Sequence, residues 1–417
     1  MRKIGCLMMS ATLGAVACWV DPPDSFVGRP CPCPTELSCV EGACVAAAGA
    51  QGGGAAGGGS GEGGTGAGVV CSLLTCGADC VDPSTNPAHC GACDLDCEGG
   101  GCSDGICQPV PVAFGNDYVA GVAIGETQVI WSALKCTGVT CPCLPEDRES
   151  GSCGVFAQDK ADTKDSHPSR VQLSDQQSVR PRVFENRLYA IRDDYGVDAI
   201  DLATGAKMDP PYPLQCSADV VVAGAYVFCT TFEGGIFYDN LVAPSLPEAD
   251  REIRPNTAGN SGFYGLTADE NSVYIRNGGG PDVTVDLPIV ERITIGSDVI
   301  DPVPVWAEPA IDDGDIAYHD GVLYVVRSGA LWQVPVDESG ASMVDPGVAI
   351  VGLSGSPAAD DRHLYFSVRH ELMRGIDRQS LETFTFDDVQ AADVVAIDPK
   401  YVFFSDLAAG ALYRAVR

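Results

Sequence analysis

Basic residues are scarce in this sequence. Its 417 residues include 25 lysines and arginines but 57 aspartates and glutamates, which gives a formal net charge of −32. A chain this acidic repels nucleic-acid phosphates and anionic lipid headgroups. We therefore expect no nucleic-acid partner, and contact with a membrane only through an attached lipid.

Catalytic motifs are scarce as well. The chain has five histidines. His370 precedes a glutamate, but Arg374 stands where a metalloprotease motif needs its second histidine. Residues 259–262 read Gly-Asn-Ser-Gly without the final glycine of a serine-hydrolase elbow, and the glycines at 278–280 precede a proline, with no helix to bind phosphate. We predict no catalytic residue and no bound cofactor.

The chain has no apolar run long enough to be read as a membrane-spanning helix. Its N-terminus has Arg2 and Lys3, then a mostly apolar stretch over residues 4–16, which is the pattern of an export signal. Residues 15–18 read Ala-Val-Ala-Cys and resemble a bacterial lipobox, although Ala15 replaces the usual leucine. We predict cleavage before Cys18 and lipidation of that cysteine; cleavage after Ala17 with secretion is the alternative.

Cysteine, by contrast, is plentiful. Eighteen cysteines follow Cys18, and they fall into clusters with even numbers of members, which favours local disulfides in an oxidising compartment. Their pairing is left open, and zinc binding by Cys76, Cys80, Cys90 and Cys93 is the less favoured alternative. The predicted disulfide cysteines are Cys31, Cys33, Cys39, Cys44, Cys71, Cys76, Cys80, Cys90, Cys93, Cys97, Cys102, Cys107, Cys136, Cys141, Cys143, Cys153, Cys216 and Cys229.

Composition divides the chain into segments. The export signal (1–18) precedes a small Cys/Pro-rich segment (19–45), and a Gly/Ala-rich linker follows at 46–68, where the composition cannot offset the entropy of ordering. Residues 69–108 hold eight cysteines and need disulfides to fold. Residues 109–417 have the character of a β-domain, with a Cys-rich insertion near 136–153.

Hairpins recur through residues 109–417 at intervals of about 40 to 50 residues, the period of a four-stranded propeller blade. We predict an all-β, seven-bladed propeller, and six or eight blades are the alternatives. Residues 109–114 are expected to supply the missing fourth strand of the last blade and so close the ring. The central aromatics of the seven hairpins are Trp131, Tyr189, Phe228, Tyr274, Tyr324, Tyr365 and Phe403.

Other strands of the blades are also predicted. Asp219–Ala223, 393–397 and 309–312 each precede a hairpin and are expected to be first strands of a blade. Residues 348–351 are expected to form a fourth strand. Residues 283–295 are irregular and leave room for an extra strand.

Two resemblances support this organisation. The stretches VLYVVRSGALWQV, HLYFSVRHELMRG and YVFFSDLAAGALYRA resemble the blades of YWTD-type and related extracytoplasmic bacterial propellers, without the YWTD tetrapeptide itself. The cysteine module resembles the CGxxCVDxxxxPxxCGxC segments of exported, lipid-anchored myxobacterial proteins. This second resemblance implies a location in the cell envelope, at the outer membrane or cell surface.

The predicted function is binding. We expect the propeller of a monomeric, lipid-anchored envelope protein to bind a protein or glycan partner; the alternative is an extracytoplasmic lyase, hydrolase or quinone-dependent dehydrogenase with its site at the central channel. Structural calcium at Asp193, Asp194 and Asp198, or at residues 312–315, is a weaker expectation, since turn chemistry explains these residues. Trp306 and Trp332 are expected to fill the space between blades.

Overall fold

We describe a computed structural model of the chain, which divides into two units, residues 1–69 and 70–417. All elements in the described residues are β-strands, and no helix among them has the length and hydropathy of a membrane span. The described residues are 4–6, 18–20, 37–40, 43–46, 73–77, 79–114, 118–134, 153–162, 170–175, 180–192, 195–208, 212, 214, 216–231, 235–241, 252–254, 263–278, 288–296, 302–309, 315–327, 330–337, 340–344, 357–367, 373–386, 389, 392–406 and 409–417.

The first unit contains two strand pairs. Strand β1 (Ile4–Cys6) pairs with β2 (Cys18–Val20), and β3 (Leu37–Val40) pairs with β4 (Ala43–Ala46), both antiparallel. The predicted lipidation at Cys18 is not tested by this pairing and stays a prediction.

The second unit begins with the cysteine module. It has two short antiparallel pairs, formed by β5 (Leu74–Cys76) with β6 (Asp79–Val81) and by β7 (Cys102–Ser103) with β8 (Ile106–Cys107). Three disulfides of the module join described residues: Cys76–Cys93, Cys90–Cys102 and Cys97–Cys107. Cys80 is disulfide-bonded as well.

Seven antiparallel sheets follow, each one blade. Blade 1 contains β10 (Tyr118–Ile124), β11 (Gln128–Leu134), β12 (Gly154–Asp159) and β13 (Val171–Ser174), and blade 2 contains β14 (Arg182–Phe184), β15 (Arg187–Ile191) and β16 (Val197–Asp201). Blade 3 contains β17 (Asp219–Ala223), β18 (Tyr226–Thr230), β19 (Ile236–Asn240) and β20 (Glu252–Arg254), and blade 4 contains β21 (Phe263–Ala268), β22 (Ser272–Asn277), β23 (Pro288–Thr294) and β24 (Val303–Pro309). Blade 5 contains β25 (Ile316–His319), β26 (Val322–Arg327), β27 (Ala330–Pro335) and β28 (Ser342–Met343). Blade 6 contains β29 (Ala358–Ala359), β30 (His363–Ser367), β31 (Met373–Asp377) and β32 (Thr383–Thr385). Blade 7 contains β33 (Ala392–Ile397), β34 (Tyr401–Asp406), β35 (Ala411–Val416) and β9 (Val110–Ala113).

Strand β9 closes the ring. It pairs antiparallel with β35, so the last sheet has the order β33-β34-β35-β9 and joins both ends of the domain. The first strands of successive blades contact one another around the whole ring, and β33 of blade 7 contacts β10 of blade 1. The predicted count of seven blades and the predicted closing strand at 109–114 are therefore confirmed. Closure leaves no open end to the array of blades.

The second strand of every blade carries the core. The seven aromatics predicted as hairpin centres all lie on second strands, and each is at most 2% exposed. Each packs with residues of its own blade and of a neighbour; Trp131, for example, shares a cluster with Phe403 and Val112. The sequence repeat thus marks the wedge of side chains between blades.

Two predictions about individual strands are corrected by the structure, and a third concerns residues that it does not describe. The first strand of blade 5 is β25, not residues 309–312, because Pro309 ends the outer strand of blade 4. The irregular stretch 283–295 contains the ordinary third strand β23. Residues 348–351 lie outside the described residues, and the fourth strand of that blade is β28.

Among the described residues, blade 2 has three regular strands, and an irregular segment covers the edge of its outer strand. Tyr212 exchanges backbone hydrogen bonds with Val197 at 3.0 and 3.1 Å, and Lys207 bridges to Ile200. Just beyond this segment, the disulfide Cys216–Cys229 ties the chain to β18 of blade 3. The edge that a missing strand would leave open is thereby protected.

The cysteine module docks on blade 7 through Glu98. Tyr401 donates a hydrogen bond to Glu98 at 2.6 Å, Lys400 forms an ion pair with it, and Arg414 lies 3.6 Å away. Burial raises the pKa of the Glu98 carboxyl, but the hydrogen bonds from Lys400 and Tyr401 outweigh burial and lower it overall. The module and the propeller therefore form one packed body.

Candidate binding site

Four charged side chains meet where the first strands of blades 2, 3 and 5 begin. Arg180 contacts Asp219 at 3.1 Å and Asp315 at 3.1 Å, and Arg182 contacts Asp219 at 3.2 Å. Leu266 of blade 4 donates its N–H to Asp219 at 2.9 Å. Burial lowers the pKa of the Arg180 guanidinium, but attraction to the two carboxylates outweighs burial and raises it. The cluster joins four blades.

The glycine at position 265 lets this cluster form. A Cβ added to Gly265 would lie 2.0 Å from Oδ1 of Asp315, so no other residue fits without moving the carboxylate. The two arginines and two aspartates balance in charge and bind one another. This arrangement ties the blades together.

Several residues weighed from sequence have other roles. Trp306 and Trp332 pack with ring centroids 5.2 Å apart between blades 4 and 5, with Arg327 over the Trp306 ring, so they fill the wedge as expected. Asp198 lies 3.6 Å from both Arg192 and Lys207. Several other predicted positions lie outside the described residues. They are the calcium-site aspartates at 193, 194, 312 and 313, the residues of the rejected catalytic motifs at 259–262 and 370, and the cysteines at 31, 33, 71, 136, 141 and 143.

Three cysteine sulfurs of the module lie close together. Cys90, Cys97 and Cys107 are buried, with Sγ atoms within 4.8 Å of one another. All three belong to disulfides, with Cys90 bound to Cys102 and Cys97 bound to Cys107. A disulfide sulfur is not the thiolate that zinc requires, so this cluster is a junction of two cross-links.

Two turns of blade 6, which we call the blade 6 rim (residues 360–362 and 377–382), form a rigid edge. Oδ1 of Asp360 accepts the N–H groups of Arg362 and His363 at 2.7 Å each. Oδ1 of Asp377 accepts the two N–H groups of residues 379 and 380 at 2.9 Å each, and Oδ2 accepts Nε of Arg362 at 3.2 Å. The backbone hydrogen bonds to Asp377 lower the pKa of its carboxyl to about 2. Each turn is thus fixed by an aspartate, and Arg362 links the two.

Leu381 is the unusual residue of this rim. Its side chain is 48% exposed, and its φ is +60°, a left-handed conformation that costs a leucine roughly 1 kcal/mol. Blade 2 has the same turn over residues 201–206, with matching backbone hydrogen bonds to Asp201, and there the equivalent position is Gly205. Glycine adopts this conformation without strain. Blade 6 therefore places a bulky apolar side chain where the turn itself favours glycine.

A groove of about 420 Å³ opens beside the rim, between blades 5 and 6. Its lining is mixed polar and apolar. The guanidinium of Arg378 lies 5.5 Å from the centre of the Tyr324 ring. Arg378 is fixed there by a 2.5 Å hydrogen bond to the carbonyl of Asp360. Because apolar side chains such as Leu364 and Leu381 lie beside Asp320 and Asp361, the groove offers both apolar and acidic contacts. The lining includes Asp320, Tyr324, Val344, Asp361, Leu364 and Leu381.

A second cleft, of about 480 Å³, opens on the other side of the rim, between the cysteine module and the outer strand of blade 6. Its walls include Asp104 of the module and Glu382 of blade 6. His363 also lines it, and its ring packs edge-on against Phe384 at 5.4 Å. Burial lowers the pKa of the His363 imidazole, which is therefore neutral at neutral pH.

Sequence reasoning did not find this site. Asp360 and Asp377 are turn residues, as is Asp201 in blade 2, which lines neither cleft, so an aspartate in a turn does not by itself mark the site. The one sequence signal for this site is Leu381, which stands where the equivalent turn of blade 2 has Gly205. Reading that signal requires aligning blades 2 and 6 by their turns, since their strands differ in sequence.

Known proteins resemble this chain in fold alone. No family model matches it, and no curated protein matches it. The extracellular domain of the one-component system protein BT4673 from B. thetaiotaomicron is 13% identical over 74% of this chain with a TM-score of 0.50, and the match spans 40% of that protein's chain. The designed protein Ika8 is 10% identical, covering 74% of this chain and 100% of its own, with a TM-score of 0.48. BamB from Moraxella catarrhalis is 10% identical, covering 72% and 84%, with a TM-score of 0.42.

Proposed function

We propose that this chain is an extracytoplasmic, non-enzymatic binding protein whose propeller holds a protein partner at the blade 6 rim. The disulfides of the module and of blade 3 point to an oxidising compartment outside the cytoplasm. The rim is fixed in advance by Asp360 and Asp377, so binding there costs little ordering entropy. Two clefts flank it, and both are bordered by the same two turns.

The proposal rests chiefly on Leu381. An exposed leucine at φ +60° contributes strain and exposes apolar surface, and both are costs to the free protein. A strained, exposed residue is typical of a site where another molecule covers it. Burying one leucine side chain against a partner supplies about 1.5–3 kcal/mol. Val344 and Leu364 in the lining of the adjacent groove give a partner further apolar surface to cover.

The test is capture of partners from envelope extract by the full chain and by the variant Leu381→Gly. Glycine relieves the strain, so the variant is expected to be as stable as the wild type or more stable by about 1 kcal/mol. Removing the side chain is expected to weaken binding of the captured partner by about tenfold or more. Affinity and thermal stability are measured together.

Leu73→Gly is the matched control, because Leu73 is also half-exposed, at 50%, and lies on the cysteine module. It is expected to leave partner affinity unchanged. Equal loss of affinity in both variants, or none in Leu381→Gly, would show that the rim is not the binding surface. If wild-type protein captures no saturable partner at all, the binding function itself is wrong.

We also propose that Cys18 carries a lipid anchor, which would hold the propeller at the cell envelope. The apolar segment before it and the small residues at 15–17 support this. Replacing Cys18 with serine should move the protein from the membrane fraction to the soluble fraction. Unchanged fractionation of the Cys18→Ser variant would contradict lipidation.

A further inference from the structure

The outer strand of blade 6 has a free edge inside the cleft that it shares with the cysteine module. Among the residues that the structure describes, β32 pairs with β31 alone. On either side of β32, Asp377 donates its N–H to the carbonyl of Glu382 at 3.0 Å and Phe386 donates its N–H to Met373 at 3.1 Å. Hydrogen-bonded pairs alternate along an antiparallel ladder.

That alternation decides which residues face outward. Phe384 forms the hydrogen-bonded pair with Gly375, so Thr383 and Thr385 direct their N–H and C=O groups away from the blade. None of these four backbone groups has a hydrogen-bond partner within the described part of the chain. Both threonine side chains are exposed. Over three residues, this edge offers about 10 Å of strand for pairing.

Packing of Phe384 against the rest of blade 6 fixes the position of strand β32. Its ring lies over Gly375, where an added Cβ would be 2.0 Å from the ring. The same ring meets His363, Tyr365 and Phe386 edge-on, at 5.4, 6.1 and 5.7 Å between centroids. A strand edge fixed in this way loses little conformational entropy when another strand pairs with it.

This edge also lacks the features that normally block strand addition. Exposed edges are usually protected by proline, charge or a bulge. The outer strand of blade 4 has prolines at 304 and 309, and that of blade 3 has Glu252 and Arg254, whereas β32 reads Thr-Phe-Thr. Its register with β31 shows no bulge.

The charge around the cleft identifies the chemistry of an occupant. Asp104, Asp377 and Glu382 line it, and the cation Arg362 is bound to Asp377 at 3.2 Å. His363 adds no charge at neutral pH because burial lowers its pKa. The lining is therefore net negative. A second copy of this chain, with a charge of −32 and the same acids at its edge, would be repelled.

We propose that this cleft binds an extended, lysine- or arginine-rich segment of a partner protein, which adds to β32 as a further antiparallel or parallel strand. This inference rests on the proposed binding function and names the chemistry of the partner. The outward groups of Thr383 and Thr385 supply the main-chain hydrogen bonds, and the acidic walls select basic side chains.

The test uses the full chain with disulfides intact and a labelled peptide, acetyl-(Lys-Val)₃-amide, with acetyl-(Glu-Val)₃-amide as the charge control. We expect saturable binding of the lysine peptide alone, weaker at high salt. Amide exchange at Thr383 and Thr385 should slow when the peptide is bound. Thr385→Pro removes the outward N–H without removing a bond to β31, and should weaken binding by tenfold or more, whereas Thr385→Val keeps that N–H and should bind like the wild type.

Absence of saturable binding, or binding that survives Thr385→Pro without slower exchange at the edge, would overturn the inference. Capture from envelope extract separates this failure from failure of the proposed function. If Thr385→Pro captures the partner as the wild type does, strand addition is wrong while binding at the rim stands. If even the wild type captures nothing saturable, the proposed function fails.

Discussion

Arg180 shows how one side chain can connect several blades. It contacts aspartates on blades 3 and 5, while it precedes the first strand of blade 2. Its side chain is 27% exposed, and those of Asp219 and Asp315 are 2% and 6% exposed. Removing the cation takes one ion-pair partner away from each of two buried carboxylates, which is the costly way to break an ion pair.

We predict that Arg180→Met lowers the free energy of unfolding by about 2–4 kcal/mol. Arg362→Met is the matched control, because Arg362 also pairs with an aspartate but is 73% exposed, and exposed pairs contribute about 0–1 kcal/mol. Urea unfolding followed by tryptophan fluorescence compares the two. Equal losses would mean that the cluster of four charges is not a tie between blades.

Leu381 marks the limit of what residue-level reading of the sequence could achieve. Its φ of +60° is invisible in the sequence, where a leucine after Gln-Ser carries no turn signal. Gly205, at the equivalent point of blade 2, does carry one. Aspartate favours turns because its carboxylate accepts nearby backbone N–H groups, and Asp269, Asp360 and Asp398 do so here.

At the level of strands, the second strand of each blade was predictable because it combines an aromatic residue with burial on both faces. Tyr324 and Phe403 stand between β-branched or apolar neighbours and are fully enclosed. First strands were less predictable. Residues 309–312 look strand-like, yet β24 already ends at Pro309 and β25 begins at Ile316, since the outer strand of blade 4 is seven residues long.

The closing strand β9 leads to a prediction of its own. Val112 is fully buried on it, in the cluster that contains Trp131 and Phe403. Val112→Ala should cost about 1–2 kcal/mol and make the amides of β35 exchange faster than those of other blades. Val171→Ala, on the outer strand of blade 1 but 51% exposed, should change stability by less than about 0.5 kcal/mol.

Hydrogen exchange and unfolding on both variants provide the measurement. If Val112→Ala leaves the exchange of β35 unchanged, β9 does not hold the last blade closed. Comparable losses in both variants would show that the two outer strands contribute alike, and that ring closure adds nothing special at blade 7.

At the scale of the whole molecule, the number of blades was predictable and the binding site was not. Seven hairpins with similar spacing, and a spare strand at 109–114, predict a closed ring of seven blades with six or eight as alternatives, and the structure has seven. The two clefts arise from tertiary packing instead. One lies between blades whose lining residues are far apart in sequence, such as Tyr324 and Arg378. The other exists because the cysteine module docks through Glu98 on blade 7.

Binding at the blade 6 rim is tested most directly by site-specific photo-cross-linking in envelope extract. A benzophenone amino acid replaces Gln379 on the rim in one variant and Ala203 in the other; both residues are exposed and occupy the same position of the two equivalent turns. We predict one dominant cross-linked protein from position 379 and none from position 203. Equal cross-linking from both positions, or none from position 379, would contradict a partner site on blade 6.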